Sequence, residues 1–249
     1  MDLAQYFSQQ DGTVSFTENQ GSAFAKGIAQ DFNPIHDPGS KRFCVPGDLL
    51  FCVLLRQYGV AHTTAVQFSG MLGGETRIRL QETITEQAHI VDDRDRALLS
   101  LYLKGERLTH AGFVSALSEA YVRFSGQTFP DILVPLMRSA NVMINPDRPL
   151  VIYKDMAIDL NADWCLPAQF DEKSTDVTLQ LSDTDISVNG RKGAVRLQFD
   201  IQLADDVIGS GEKNMVLSGL RDFEASSMQS IVDQYTQWRD AYAARIHSV

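Results

Sequence analysis

The stretch AQDFNPIHDPGSKRFCVPGDLLFCVLL, residues 29–55, decides how the chain is read. From Leu49 to Leu55 it is apolar without a break, and with Gly47 ahead and Gly59 behind, residues 47–59 read as a helix. A helix apolar on every side has to be covered on every side. The polar half of the stretch prepares that helix. Asn33-Pro34 closes whatever precedes it, because a residue before proline is pushed out of the helical region, and Asp-Pro-Gly-Ser at 37–40 is turn chemistry. Asp31 and His36 stand in this polar half, directly ahead of the buried helix. Their spacing alone suits two readings: a capped turn with a surface histidine, or an acid and a base aimed into a pocket.

Upstream, residues 17–30 (TENQGSAFAKGIAQ) predict a short helix opening at a Thr cap, with Phe24, Ile28 and Ala29 on its apolar side. Downstream, residues 64–69, 75–87, 97–108 and 111–124 alternate apolar and polar as strands do. Within 75–87, Ile78, Leu80 and Thr83 face one way, and Arg77, Arg79 and Gln81 the other. An antiparallel sheet with one wet face gives this pattern, so the first half predicts a sheet curled around the 47–59 helix. The second half repeats the theme. A short helix at 130–140 is followed by strands at 150–160, 176–183, 194–204 and 214–220, with a tight turn at Asn-Gly-Arg-Lys-Gly, 189–193. GSGEK at 209–213 and GMLGGE at 70–75 read as loops. Residues 222–246 carry Met228, Ile231, Val232, Tyr235, Trp238, Tyr242 and Ile246 at helical spacing, a face expected to pack on the outside of the second sheet or on a partner subunit. Helix then four strands, twice, implies two α+β units: 1–128, carrying the candidate site, and 129–249.

Composition narrows the classes. Hydrophobic residues make up 44% and charged residues 22% of 249, a globular balance. A formal charge of −10 argues against a nucleic-acid partner. Three cysteines, Cys44, Cys52 and Cys165, form no C-x-x-C pair and have no histidine at ligand spacing, so neither a disulfide framework nor a metal site is expected, and a reducing compartment fits. Cys52 reads as a small core residue. The opening MDLAQYFSQQDGT lacks a basic segment followed by an apolar one, and no run approaches the roughly 18 apolar residues of a membrane span. The expectation is a cytoplasmic protein without membrane or nucleic-acid contacts.

AQDFNPIHDP followed by CVPGDLLFCVLL resembles the signature of the MaoC-like, (R)-specific enoyl-CoA hydratases. The resemblance is specific over residues 17–55 and holds in pattern to about 125. It implies the hotdog fold, here as a double hotdog with a C-terminal amphipathic helix. It also implies an acyl thioester of coenzyme A or acyl carrier protein as substrate, and no cofactor. By the same resemblance Asp31 and His36 hold the water that adds across a 2-enoyl thioester, Asn33 fills the motif's Asn position, and the Gly47 N–H binds the thioester oxygen. The chemistry is sound in itself: imidazole beside a carboxylate is suited to deprotonating water near neutrality, and a helix N-terminus favours a developing oxyanion.

Two departures stand out. The chain has Pro46-Gly47-Asp48 where the family commonly has His-Gly, and the segment between His36 and the helix is short. An inward Asp48 would repel an oxyanion, whereas an outward one would favour the helix dipole. These departures carry a second expectation, a degenerate double hotdog that binds an acyl thioester or a protein partner without turnover. A thioesterase is a third. Asp37 is another acid near His36, but the resemblance selects Asp31. His62, His89, His110 and His247 lie outside any motif and read as surface groups. With no histidine between His110 and His247, the second unit cannot carry its own Asp/His pair. Two fused units supply each other's usual partner; a homodimer is also an expected assembly, being common in this fold.

Overall fold

A computed structural model describes residues 1–126, 128–146, 150–167, 170 and 176–246. His247 lies outside the described residues. The chain opens with β1 (Ser8–Gln10), β2 (Thr13–Ser15) and α1 (Glu18–Gly27), then α2 (Gly47–Tyr58) runs into β3 (Val60–Phe68), β4 (Arg77–Arg79), β5 (Gln87–Asp92) and β6 (Ala97–Leu108). Helices α3 (Ala111–Gly126), α4 (Thr128–Asp131) and α5 (Leu133–Ser139) and the short β7 (Val142–Met143) follow. The chain continues with β8 (Val151–Leu160), β9 (Val177–Asn189), β10 (Lys192–Leu203), β11 (Asp206–Ser218), β12 (Arg221–Asp222) and α6 (Ala225–Ile246).

Among the described residues ten strands form one sheet in the order β1-β2-β4-β5-β6-β3-β8-β11-β10-β9, and every pairing between them is antiparallel. The order contains a repeat. Outward from the centre one side runs β3-β6-β5-β4 and the other β8-β11-β10-β9, the same path traced by consecutive strands. The two sides meet where β3 pairs with β8, Thr63 opposite Asp159 through Gln67 opposite Asp155. The class is therefore α+β, as the alternation predicted.

Helix α2 is covered as its composition requires: Leu49 to Leu55 are all buried, and Arg56 and Gln57 reach solvent. Cys52 is fully buried, a core residue as expected. Thr17 and Gln20 close a capping box at the start of α1, on the residues read as its opening.

Four sequence expectations need correction. Residues 111–124 are helix, not strand: Phe113, Leu117, Tyr121 and Phe124 are buried at helical spacing. Because α3 packs on α2 on one side and on β9 on another, its apolar residues are not confined to one stripe and its period blurs. The longer buried helix ahead of β8 is therefore α3, and the 130–140 region between them supplies only the short α4 and α5 before β7. Thr83 is exposed, and Ile84 is the buried residue there, because β4 ends at Arg79 and the alternation stops with it. GSGEK is not a loop but the middle of β11, where Gly211, Lys213, Met215 and Leu217 all face inward. A side chain on Gly211 would run into the Phe199 ring, so the glycine is there for space and not for a turn. Finally, α6 does not lie on the outer face of the second sheet. It seats on the segment after α1: the Tyr235 hydroxyl donates to the Gln30 carbonyl at 2.7 Å, and Tyr235 and Tyr242 stand edge-on to Phe32.

Among the described residues no helix is long and apolar enough to cross a membrane.

Candidate functional site

The loop between α1 and α2 builds one wall of a cavity of about 350 Å³. After α1 the Asp31 N–H bonds back to the Ala25 carbonyl at 2.8 Å, which fixes where the acid leaves the helix. Its Oδ1 then accepts the Asn33 N–H at 2.9 Å, and the Asn33 Oδ1 accepts the Ile35 N–H at 3.2 Å. Two successive side-chain turns wind the chain into a single 3-10 turn, Pro34–His36, that delivers the imidazole. His36 is buried, and its Nδ1 lies 2.7 Å from the Cys44 carbonyl. A carbonyl only accepts, so Nδ1 carries the proton and Nε2 is turned to the other side, 3.5 Å from Asp31 Oδ2.

Asp31 thus does both of the things its spacing allowed. One carboxylate oxygen caps a turn and the other faces His36. Burial alone would raise its pKa, but the hydrogen bond and charge of His36, the Asn33 N–H and the more distant Lys213 outweigh burial and hold it below the usual carboxylate value. For His36 burial pulls the other way, and the Asp31 carboxylate, the Cys44 carbonyl and Asp48 overcome it, so its pKa is raised. Cys44, beside the pair, has its thiol pushed up to about 11 by burial and stays protonated near neutrality.

Asp31, Asn33, His36 and Gly47 all line this one cavity. Gly47 is the first residue of α2, where an N–H has no carbonyl one turn back to bond to. A Cβ there would sit 2.9 Å from the Tyr153 ring and 3.3 Å from the Phe68 ring, so only glycine admits this packing. The rest of the cavity is largely apolar: Leu50, Phe68 and Leu72 from the first half, Leu133, Val151 and Met215 from the second, and Ile231, Tyr235 and Trp238 from α6.

Asp48 follows neither course expected of it. It is buried, and its charge is met: Lys213 Nζ lies 3.2 Å from Oδ1, and the Ser125 hydroxyl donates to Oδ2. Lys213 also donates to the Ser125 oxygen and sits 3.5 Å from the centre of the Tyr153 ring, while the Tyr153 hydroxyl is 3.2 Å from Ser125. Ser125 and Tyr153 line the cavity. None of these three residues was singled out from sequence. Lys213 had a signal, since counting back by twos from Leu217 and Met215 puts it on the inner face, but the two glycines of GSGEK masked the strand. Among the described residues no cluster of three or more His, Cys, Asp or Glu side chains is placed to hold a metal ion.

The protein belongs to the family described as "Protein of unknown function (DUF3581)", whose model matches residues 1–226. No curated protein matches the sequence. Among solved structures it is similar to a MaoC-like dehydratase (TM-score 0.40, 10% identity, 86% of this chain and 98% of that one). It is also similar to a conserved protein of unknown function with a hot dog fold from Alicyclobacillus acidocaldarius (0.43, 8%, 87% and 97%). A third is an acyl-CoA thioesterase II, TesB2, from Mycobacterium marinum (0.41, 10%, 89% and 99%). These are likenesses of shape and carry nothing about activity. The chain's own large antiparallel sheet with its buried helices makes it α+β.

Proposed function

We propose that the protein is a hydratase or dehydratase of acyl thioesters, carried on coenzyme A or acyl carrier protein, with Asp31 and His36 as the pair that handles water. One observation carries this reading: Asp31 Oδ2 and His36 Nε2 lie 3.5 Å apart on the wall of an apolar cavity. With Nδ1–H committed to Cys44, neutral His36 offers only a lone pair at Nε2. Two acceptors so close are satisfied together by a water donating one hydrogen to each. On substrate, Nε2 takes a water proton as the oxygen bonds to the β-carbon. The proton, held between imidazole and carboxylate, then passes to the α-carbon. The thioester oxygen gathers negative charge meanwhile, and the Gly47 N–H at the start of α2 is the donor suited to it.

The fold reading belongs to the same proposal. The two sides of the sheet, β3-β6-β5-β4 and β8-β11-β10-β9, are two hotdog units wrapped on α2 and α3. On this reading α3 belongs to the second unit, and the division falls between Leu108 and Ala111 instead of at residue 128.

The test is loss of 2-enoyl absorbance with crotonyl-CoA and a medium-chain 2-enoyl-CoA. His36→Ala and Asp31→Asn are expected to lower kcat by about 10² to 10⁴ with the fold intact. If either variant hydrates as fast as the unaltered protein, the assignment fails. A second reading, binding without turnover, is favoured by the Tyr153 and Phe68 rings packed beside Gly47. A thermal shift with acyl-CoA but no absorbance change would select it, and release of free thiol would indicate a thioesterase instead.

A further inference from the structure

Among the described residues Lys213 is the only buried lysine or arginine, and nothing in the water-handling chemistry uses it. It comes from β11, in the second half, and meets Asp48 in the first turn of α2. The groups facing it are Asp48 from α2, Tyr121 and Ser125 from α3 and Tyr153 from β8, with Asp31 and His36 beyond them across the wall.

The serine in this cluster is not a free nucleophile. Its proton goes to Asp48 Oδ2, and its oxygen faces the Lys213 ammonium and the Tyr153 hydroxyl, so no lone pair is left to attack a carbonyl. What the cluster does is set charge. A buried Asp48 without a partner would be costly and would oppose negative charge on any ligand oxygen near Gly47. Lys213 cancels that charge, and its contact with the Tyr153 face seats the ring against Gly47.

We propose that Lys213 is a positioning residue for the cavity: by neutralising Asp48 and seating Tyr153, it lets the start of α2 meet a ligand carbonyl as a donor end. The ligand class is a carbonyl compound that gains negative charge on oxygen. That it is a thioester rests on the function proposed above, but the charge-setting role does not. The environment agrees with it. Burial lowers the Lys213 pKa and Asp48 opposes that fall, Lys213 is among the groups that hold Asp31 low, and Asp48 is among those that raise His36.

The experiment is an NMR pH titration of the His36 ring, assigned by its loss in His36→Gln, in the unaltered protein, Lys213→Met, Asp48→Asn and the double variant. Lys213→Met bares Asp48 and is expected to raise the His36 midpoint by about half a unit or more. The double variant is expected to bring it back to or below the starting value. If Lys213→Met does not fold, Asp48→Asn, which leaves the ammonium uncompensated, is expected to lower the midpoint. A His36 midpoint that moves in none of them, whatever happens to thermal stability, overturns the proposal. The titration needs no substrate, so failure of the hydratase reading leaves it intact. With turnover of crotonyl-CoA, kcat in Lys213→Met falls about 10²-fold at little-changed KM and recovers to within about tenfold in the double variant.

Discussion

Two walls of one cavity are built by different means. The His36 wall is a single run of chain, residues 29–47, whose side chains cap their own turns and converge because they are neighbours in sequence. Another wall is assembled from Ser125 of α3, Tyr153 of β8 and Met215 of β11, and next to Ser125 and Tyr153 the buried Lys213 reaches Asp48 across 165 positions of sequence. A local device tolerates a change in its neighbours, whereas an assembled one depends on the register of the sheet beneath it. Loss of His36 should therefore silence the cavity while leaving the fold, and loss of Lys213 should strain both.

For stability the assembled wall gives the larger effect. Lys213→Met leaves a buried carboxylate without its cation, and such a break costs about 3–5 kcal/mol. Replacing Lys213 and Asp48 together by Met and Asn removes both charges and should restore most of that loss. Thermal or urea unfolding of the three variants reads this directly. If the single variant melts with the unaltered protein, the pair is not the brace that its burial implies.

The same contrast explains what could be read from sequence. Asp31, His36 and the covered helix α2 were legible because each is encoded in a contiguous pattern: an acid, an Asn-Pro, a histidine, then seven apolar residues. Helix α3 was not legible, because it is buried on more than one side and its period blurs. Lys213 was missed for another reason. Gly209 and Gly211 look like loop residues, yet each yields space to a neighbour already in place: the backbone of Asp159 and Leu160 for one, the Phe199 ring for the other. Local chemistry names turns well but not vacancies that a distant strand fills.

Gly211→Ala puts a methyl group against the Phe199 ring and should cost about 1–3 kcal/mol through overpacking. For a chain of this size that is a fall in Tm of roughly 2–4 °C per kcal/mol. A loop glycine at that site would accept alanine at almost no cost, and a Tm within a degree of the unaltered protein would return 209–213 to the loop reading.

The His36 wall can be probed by pH, where stability and activity should part. His36 has a folded pKa raised above its ordinary 6.5, so its contribution to stability is full below that value and lost as pH rises through the folded pKa. Asp31, lowered from 3.8, contributes above that value and loses it as pH falls through the folded one. The pair is thus strongest in mildly acidic solution. A water-activating His36 must be neutral, so the hydration rate should climb with pH over the range where this stabilisation fades. Parallel pH profiles of Tm and kcat would show that His36 is not the base.

The smallest effect belongs to the seat of α6. Tyr235→Phe removes one hydrogen bond to the Gln30 carbonyl and keeps the ring contacts with Phe32 and Phe129. A neutral hydrogen bond of this kind is worth about 0.5–1.5 kcal/mol. Gln30 immediately precedes Asp31, so the bond ties the helix that walls the cavity to the turn that presents the acid. Hydrogen exchange along α6 should quicken in Tyr235→Phe ahead of any change in the sheet. Unchanged exchange there would mean that aromatic packing alone holds α6 in place, and that Asp31 takes its position from the Ala25 and Asn33 bonds without help from the C-terminal helix.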